Sequence, residues 1–90
     1  MSTPEKIRQR LAPLSPEYLE IEDESARHAG HEGAKGGGGH YRLTIVSARF
    51  AGESLIARHR AINGLLGEML QNEIHAISIK AYAPGENQRP

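Results

Sequence analysis

The chain has 90 residues, in which 11 basic residues balance 11 acidic residues, and it contains no cysteine. A chain of this length forms one domain with a thin core and little room for an enclosed active site. The balanced charge disfavours strong non-specific binding to nucleic acid, and the lack of cysteine excludes disulfides and any cluster ligated by the chain's own thiolates. The charged N-terminus predicts no signal peptide, and no later segment reaches membrane-spanning length, so we expect a cytoplasmic protein without a membrane partner.

The first quarter of the chain predicts a helix and then a strand. Thr3 can cap a helix in which apolar residues recur at helical spacing from Ile7 to Leu14. Pro13 and Pro16 end this helix because proline cannot donate the amide hydrogen that continuation requires. Apolar and acidic residues then alternate over Tyr18–Asp23, which predicts a half-buried strand.

The next segment, residues 24–39, predicts a mobile loop. Its sequence, ESARHAGHEGAKGGGG, contains six glycines and no large apolar residue, so ordering it is entropically expensive. Loops of this length are usually functional or disordered. His28 and His31 lie three residues apart in the loop, and each is either a solvated side chain or a candidate metal ligand.

The second half of the chain predicts a strand, a helix and a final strand. Alternation predicts a strand over His40–Ser47, and Phe50 in the following turn is a candidate core residue. Ser54 caps a helix that runs to about Gln71. The predicted apolar stripe of this helix includes Leu55 and Ile56, with Arg58 at its flank.

The order of elements predicts a two-layer α+β sandwich made of residues 1–90 as a single domain. The first two strands form a hairpin, and the last strand, over Glu73–Ala83, runs parallel to the second because a helix returns the chain across the sheet. Both helices are expected on one face of this three-stranded mixed sheet. The polar tail, residues 84–90, is expected to fray.

His75, at the start of the last strand, is the third candidate ligand. Strict alternation puts it on the same face as Ile77 and Ile79, where the simpler interpretation is a partly buried, hydrogen-bonded histidine. The hairpin loop and the start of a parallel strand can lie at the same end of a sheet, where His75 and the loop histidines could meet. Two histidines do not complete a tetrahedral metal site, so such a site would need ligands from another molecule.

No catalytic pattern accompanies these histidines, and we expect no enzyme activity. The sequence has no nucleophile paired with a base, and its four consecutive glycines lack the lysine and the helix of a phosphate-binding loop. Arg58 and Arg60 could contact phosphate, but a solvated helix face is the simpler interpretation.

Five segments resemble the BolA family in sequence, order and spacing. They are LEIEDES (19–25), HAGH (28–31), HYRLTIVSARFAGES (40–54), ARHRAIN (57–63) and IHAISIKAYAPGE (74–86). The resemblance covers nearly the whole chain, which lacks the longer C-terminal tail of some members and has a longer glycine loop than many. It implies a class II KH-like fold with a mixed sheet, in agreement with the predicted order.

The resemblance also implies a partner and a cofactor. BolA proteins bind monothiol glutaredoxins and share a 2Fe–2S cluster with them, in iron–sulfur trafficking or iron regulation. The glutaredoxin supplies a cysteine and a bound glutathione thiol, and the BolA protein supplies a loop ligand and a C-terminal histidine. By motif, the C-terminal ligand is His75 and the loop ligand is His28, with His31 as the alternative. No cofactor is expected in the isolated protein.

Two other functions remain open. The family also contains DNA-binding transcriptional regulators, for which Arg58, Arg60 and Lys80 are the candidate phosphate contacts. However, the turn FAGES has one glycine where typical KH domains have a GxxG loop. The remaining function is a structural interaction domain with incidental histidines. The free protein is expected to be a monomer or a weak dimer.

Overall fold

The computed structural model describes residues 2–24 and 39–86. The helices and strands are α1 (Thr3–Leu11), β1 (Tyr18–Asp23), β2 (Gly39–Val46), α2 (Leu55–Leu66) and β3 (Ile74–Tyr82). β2 is the central strand of the sheet, with β1 antiparallel on one side and β3 parallel on the other. The predicted α+β order and the three-stranded mixed sheet are therefore confirmed.

The core lies between one face of the sheet and the two helices. Burying one large aliphatic side chain in such a core stabilises the folded state by roughly 1.5–3 kcal/mol. The predicted core residue Phe50 is confirmed, since it is almost fully buried. The main buried side chains from the helices and the central strand are Ile7, Leu11, Tyr41, Leu43, Ile45, Ile62 and Leu66. The opposite face of the sheet carries exposed polar residues, among them Glu20, Glu22, Arg42, Ser78 and Lys80.

α1 begins one residue earlier than the sequence predicted, because Ser2 rather than Thr3 is its cap. The Ser2 hydroxyl accepts a hydrogen bond from the Glu5 amide at 3.3 Å, and the Ser2 amide donates to the Glu5 carboxylate at 3.0 Å. This reciprocal capping box satisfies two backbone donors that the first helical turn leaves without partners. A 3-10 turn, Ala12–Leu14, continues the helix across Pro13.

α2 is shorter than the predicted helix, which extended to Gln71. It ends at Leu66, because Gly67 adopts a positive φ of 55°, and a 3-10 turn follows over Gly67–Gln71. The Arg10 guanidinium donates to the Leu66 carbonyl at 2.9 Å and so satisfies one acceptor at this helix end.

The predicted burial of Leu55 and Ile56 is wrong. Their side chains are 63% and 65% exposed. The buried positions of α2 are Arg58, Ile62 and Leu66, so the first residue of the helix to reach the core is an arginine. The first turn of α2 therefore packs on the sheet through Arg58 and leaves the two aliphatic side chains in solvent.

Arg58 is buried and is not part of a solvated helix face. Its Nε donates to the Glu53 carbonyl at 3.0 Å, and its Nη1 donates to the Ala81 carbonyl at 3.0 Å. Its two terminal nitrogens bind the Glu86 carboxylate at 2.7 and 2.9 Å. The guanidinium carbon also lies 5.9 Å from the centroid of the Phe50 ring. Arg58 therefore joins α2 to the turn before it, to the end of β3 and to the segment after β3.

The first residues of the predicted frayed tail are fixed in a turn. The Glu86 amide donates to the Ala83 carbonyl at 3.0 Å, and the Ala83 amide donates to the Glu86 carboxylate at 2.9 Å. Gly85 has the positive φ of 89° that this turn requires. The hydrogen bonds from Arg58, followed by the bond from the Ala83 amide, lower the pKa of Glu86 to about 2.

Replacing Arg58 by alanine should lower the free energy of unfolding by roughly 2–4 kcal/mol, because the buried Ala81 carbonyl, the partly buried Glu53 carbonyl and the Glu86 carboxylate lose the donors that Arg58 supplies. Urea unfolding followed by circular dichroism measures the change. The control is Arg60→Ala, at an exposed position of the same helix, which should change stability by about 0.5 kcal/mol or less. Equal effects of the two substitutions would contradict the described role of Arg58.

The stabilising effect of Glu86 should depend on pH. Because its folded-state pKa is about 2 against an ordinary value of 4.5, its contribution is complete above pH 4.5 and is lost as the pH falls towards 2. The difference in unfolding free energy between the wild type and Glu86→Gln should therefore shrink over this interval. In an Arg58→Ala background the same difference should vary much less with pH. A difference that stays constant in the wild-type background would refute the pairing.

Candidate metal-ligand site at the start of the last strand

A β-bulge lies where β3 begins. Gly39 pairs with Ile74, and the next residue of β2, His40, pairs with Ala76. β3 therefore advances two residues while β2 advances one, and His75 is the extra residue. Bulges of this kind re-aim a side chain and are frequent beside functional sites.

The bulge overturns the predicted orientation of His75. Ile74 is 2% exposed and belongs to the core, while Ile77 and Ile79 pack against the same core from further along the strand. His75 lies between these residues in sequence but is exposed. The prediction of a partly buried histidine on the face of Ile77 assumed strict alternation, which a strand with one additional residue does not follow.

The ring of His75 lies against the ring of His40. The two centroids are 5.0 Å apart, and the ring planes are inclined at 46°. His40 is half-buried and its Nε2 atom is buried, whereas His75 is exposed. His75 is therefore the better-placed metal ligand of the two, and His40 limits where its ring can lie. Sequence reasoning treated His40 only as a strand-end residue, because the contact depends on the bulge.

A small open pocket lies beside the ring of His40. It has a volume of about 220 Å³ and is lined by Glu24, His40, Tyr41, Ala76, Ile77 and Ser78. The Glu24 amide donates to the His40 carbonyl at 2.7 Å, and the Glu24 carboxylate is 3.0 Å from Nη2 of Arg42. Within residues 2–24 and 39–86, no group of three histidine or acidic side chains could hold a metal ion. The described residues therefore supply an incomplete ligand set.

The entry of the chain into β2 depends on Gly39. A Cβ atom at this position would lie 2.6 Å from the ring of Tyr41, which is closer than carbon atoms can approach. The Gly39 amide donates to the Glu73 carbonyl at 2.9 Å, and the Glu73 carboxylate lies 2.6 Å from Nζ of Lys6. Lys6 also lowers the pKa of Glu73 through this hydrogen bond. These contacts fix the strand next to the bulge.

The predicted loop ligands His28 and His31 lie outside the described residues. The segment that contains them leaves the sheet after Glu24 and returns at Gly39. Both attachment points lie at the end of the sheet that carries His75, since Glu24 hydrogen-bonds to His40 and Gly39 pairs with Ile74.

The three candidate phosphate contacts do not form one surface. Arg58 is buried and its guanidinium is used by four hydrogen bonds within the chain. Arg60 is exposed on α2, which covers one face of the sheet. Lys80 pairs with Thr44 and lies on the opposite face, away from the helices. A DNA duplex could not contact all three at once.

The sequence and the fold both match known proteins. The family model described as BolA-like protein matches residues 11–86. This chain belongs to the BolA family. An uncharacterized protein in the cobS 5′ region of Sinorhizobium is 46% identical to it over 99% of both chains. The solved BolA domain of SufE1 from Arabidopsis thaliana has a TM-score of 0.79 and 43% identity, over 97% of this chain and 99% of that one.

One relative of this BolA-family chain has a name that states its function. The DNA-binding transcriptional regulator BolA of Vibrio cholerae is 40% identical over 84% of this chain and 69% of its own length. Other curated relatives are longer, and this chain covers between 24% and 61% of three of them. Within the described residues of this BolA-family chain, no helix is long and apolar enough to span a membrane.

Gly39→Ala should destabilise this BolA-family chain by about 1–3 kcal/mol, because the added methyl group displaces the Tyr41 ring. The matched control is Gly64→Ala on the exposed side of α2, where a Cβ meets nothing within 4 Å. Alanine should stabilise that helix by about 1 kcal/mol relative to glycine. Thermal unfolding of both variants tests the pair, and stabilisation by Gly39→Ala would contradict the described packing.

Proposed function

We propose that this BolA-family chain is a non-enzymatic cytoplasmic adaptor that binds a monothiol glutaredoxin and shares a 2Fe–2S cluster with it. The observation that supports the proposal is the exposed His75 at a β-bulge, with its ring held against His40. The chain has no cysteine of its own, so a cluster held in part by this protein needs imidazole ligands here and thiolates from elsewhere.

Imidazole nitrogens are suitable ligands for a 2Fe–2S cluster. In Rieske centres two histidines replace two cysteines on one iron, so imidazole nitrogen is an established ligand for such clusters. His75 would supply one nitrogen and either His28 or His31 the second, while the glutaredoxin cysteine and a glutathione thiol would supply the two thiolates. When bound, the cluster supplies one-electron chemistry, and histidine ligation raises its reduction potential above that of an all-thiolate cluster.

The residues around His75 contribute by positioning its ring. The bulge turns His75 away from the core without interrupting the packing of Ile74. The contact with His40 removes part of the rotational freedom of the His75 ring, and ordering a side chain in advance saves about 0.5–1.5 kcal/mol on binding. The resemblance to the family motif, in which the loop ligand follows DES at this spacing, favours His28 over His31.

The proposal predicts the effect of replacing His75. The protein and a monothiol glutaredoxin are mixed with glutathione, iron and sulfide under anaerobic conditions, and visible circular dichroism is recorded. The wild type should give a spectrum that differs from that of the glutaredoxin alone, and His75→Ala should abolish this difference while its far-ultraviolet spectrum stays native. The matched control is His59→Ala on α2, which should leave the new spectrum in place.

The loop variants identify the second ligand. Loss of the new spectrum in His28→Ala assigns His28, and loss in His31→Ala assigns His31.

Calorimetry of the same mixtures distinguishes the cluster-sharing adaptor from a purely structural interaction domain. If glutaredoxin binds equally well to the wild type and to a His28, His31 and His75 triple alanine variant, and no mixed spectrum forms with either, the cluster proposal is wrong.

DNA binding is the second candidate function, and the name of the Vibrio cholerae relative favours it. Fluorescence anisotropy with labelled duplex DNA should then show binding that weakens steeply as salt rises. Because Arg60 and Lys80 lie on opposite sides of the molecule, only one of the two alanine variants should reduce the affinity. An absence of binding at low salt would exclude this function.

A further inference from the structure

The outer edge of β3 carries backbone groups that the ladder with β2 does not use. β3 is a terminal strand of the sheet. The Ser47 amide donates to the Tyr82 carbonyl at 2.9 Å, so the carbonyl of Tyr82 faces β2. Backbone groups alternate between the two sides of a strand, and the Ala81 carbonyl therefore faces outwards, where Nη1 of Arg58 donates to it at 3.0 Å. The odd-numbered residues before Ala81 likewise direct their amides and carbonyls out of the sheet.

Ile77 and Ile79 are the residues at which this edge is open. No hydrogen bond from the part of the chain that the structure describes reaches their outward amides and carbonyls. Arg58 closes the edge at Ala81, two residues further on. The side chains of Ile77 and Ile79 are half-buried and pack against the core from the end of the layer. These outward backbone groups of Ile77 and Ile79 are called the open edge below.

The other edge of the sheet, along β1, is less open. The Glu24 amide donates to the His40 carbonyl, so the even-numbered residues of β1 face β2 and the odd-numbered residues face outwards. The Arg8 guanidinium donates to the outward Leu19 carbonyl at 3.4 Å. Acidic side chains alternate with apolar ones around Ile21, and charge of this kind protects an edge from further pairing. The open edge of β3 carries no acidic side chain and lies beside the candidate ligand His75.

We propose that an extended segment of the thiol-bearing partner adds to the sheet as a fourth strand on the open edge, an inference that rests on the proposed function. Ile77 lies two residues beyond His75, or about 7 Å along the strand. A partner that brings thiolates to a cluster at His75 therefore lies against this edge. An extended backbone fits it, because its own amides and carbonyls repeat at the same spacing. Apolar side chains on the added strand would complete the burial of Ile77 and Ile79.

A second copy of this chain fits the open edge less well. Two copies related by a two-fold axis midway along the edge would pair Ile77 of one with Ile79 of the other. The next pair would join Ala81 to His75, but Arg58 already bonds to the Ala81 carbonyl and the bulge interrupts the alternation at His75. Such pairing would stop after one repeat and would cover His75 in both copies.

Amide hydrogen exchange, resolved to single residues, tests the added strand on the wild-type protein. In the free protein the amides of Ile77 and Ile79 should exchange faster than the amide of Ser78, which faces β2. In the anaerobic mixture with monothiol glutaredoxin, glutathione, iron and sulfide, exchange at Ile77 and Ile79 should slow by about tenfold or more. The matched control is the outward amide of Ile21 on β1, which should keep its rate.

Proline variants test the same backbone groups through binding. Ile79→Pro removes an outward amide and no bond of the ladder with β2, which is where edge strands tolerate proline. The matched control, Ile79→Ala, loses more of the side chain but keeps the amide. Calorimetry should show that Ile79→Pro binds glutaredoxin about tenfold more weakly than Ile79→Ala. If far-ultraviolet circular dichroism shows that Ile79→Pro is unfolded, Ile77→Pro and Ile77→Ala form a second pair.

The outcomes separate the added strand from the shared cluster. A mixed-cluster spectrum without slower exchange at Ile77 and Ile79, or equal affinities of the proline and alanine variants, overturns the added strand and leaves the proposed function in place. Slower exchange at both residues without a mixed-cluster spectrum supports the added strand and contradicts cluster sharing. Absence of any binding between the two proteins overturns both.

Discussion

The buried charge of Arg58 is the constraint on which the arrangement of the fold depends. A guanidinium removed from water must satisfy its donors within the protein, or the cost amounts to several kcal/mol. Arg58 meets this requirement with the Glu53 carbonyl, the Ala81 carbonyl and the Glu86 carboxylate. The turn before α2, the end of β3 and the segment after β3 therefore have to converge on one side chain. That convergence fixes where α2 begins, how β3 ends and where the chain goes after it.

The opposite end of the sheet, where β3 begins, carries the candidate metal ligand His75. There the pairing of β2 with β3 slips by one residue, so that His75 leaves the core face and contacts His40, while Ile74 stays buried. One end of the molecule thus stabilises the fold through a buried cation that makes four hydrogen bonds, and the other presents an imidazole. Because some 20 Å of strand separates them, changes at the histidine end need not disturb the packing around Arg58.

The regular elements were largely predictable from the sequence. β1 has the predicted bounds, and β3 runs parallel to β2 as the intervening helix requires. The errors come from residues whose environment depends on tertiary contacts. Periodicity assigned Leu55 and Ile56 to the core because it counts apolar residues, but it cannot detect that a buried arginine takes the core-facing position of this turn.

The candidate site was predictable only in part. The family motif singled out His75, whereas alternation placed it on the wrong face, because a bulge shifts the strand by one residue and has no side-chain signature. The contact with His40 follows from that shift and was therefore missed. Arg58 resembled a surface residue because its partner, Glu86, lies 28 positions away in a segment that was expected to be frayed. The assignments of His28 and His31 stay predictions.

The central claim is that the bulge at His75 turns its ring out of the core and onto His40, and a nuclear Overhauser measurement on the free protein tests it directly. The account predicts cross-peaks between the ring protons of His40 and His75, because the ring centroids are 5.0 Å apart. It also predicts no cross-peaks from the His75 ring to the methyl groups of Ile77 or Ile79. Cross-peaks to those methyl groups, without any to His40, would mean that the strand alternates without a bulge and would contradict the account.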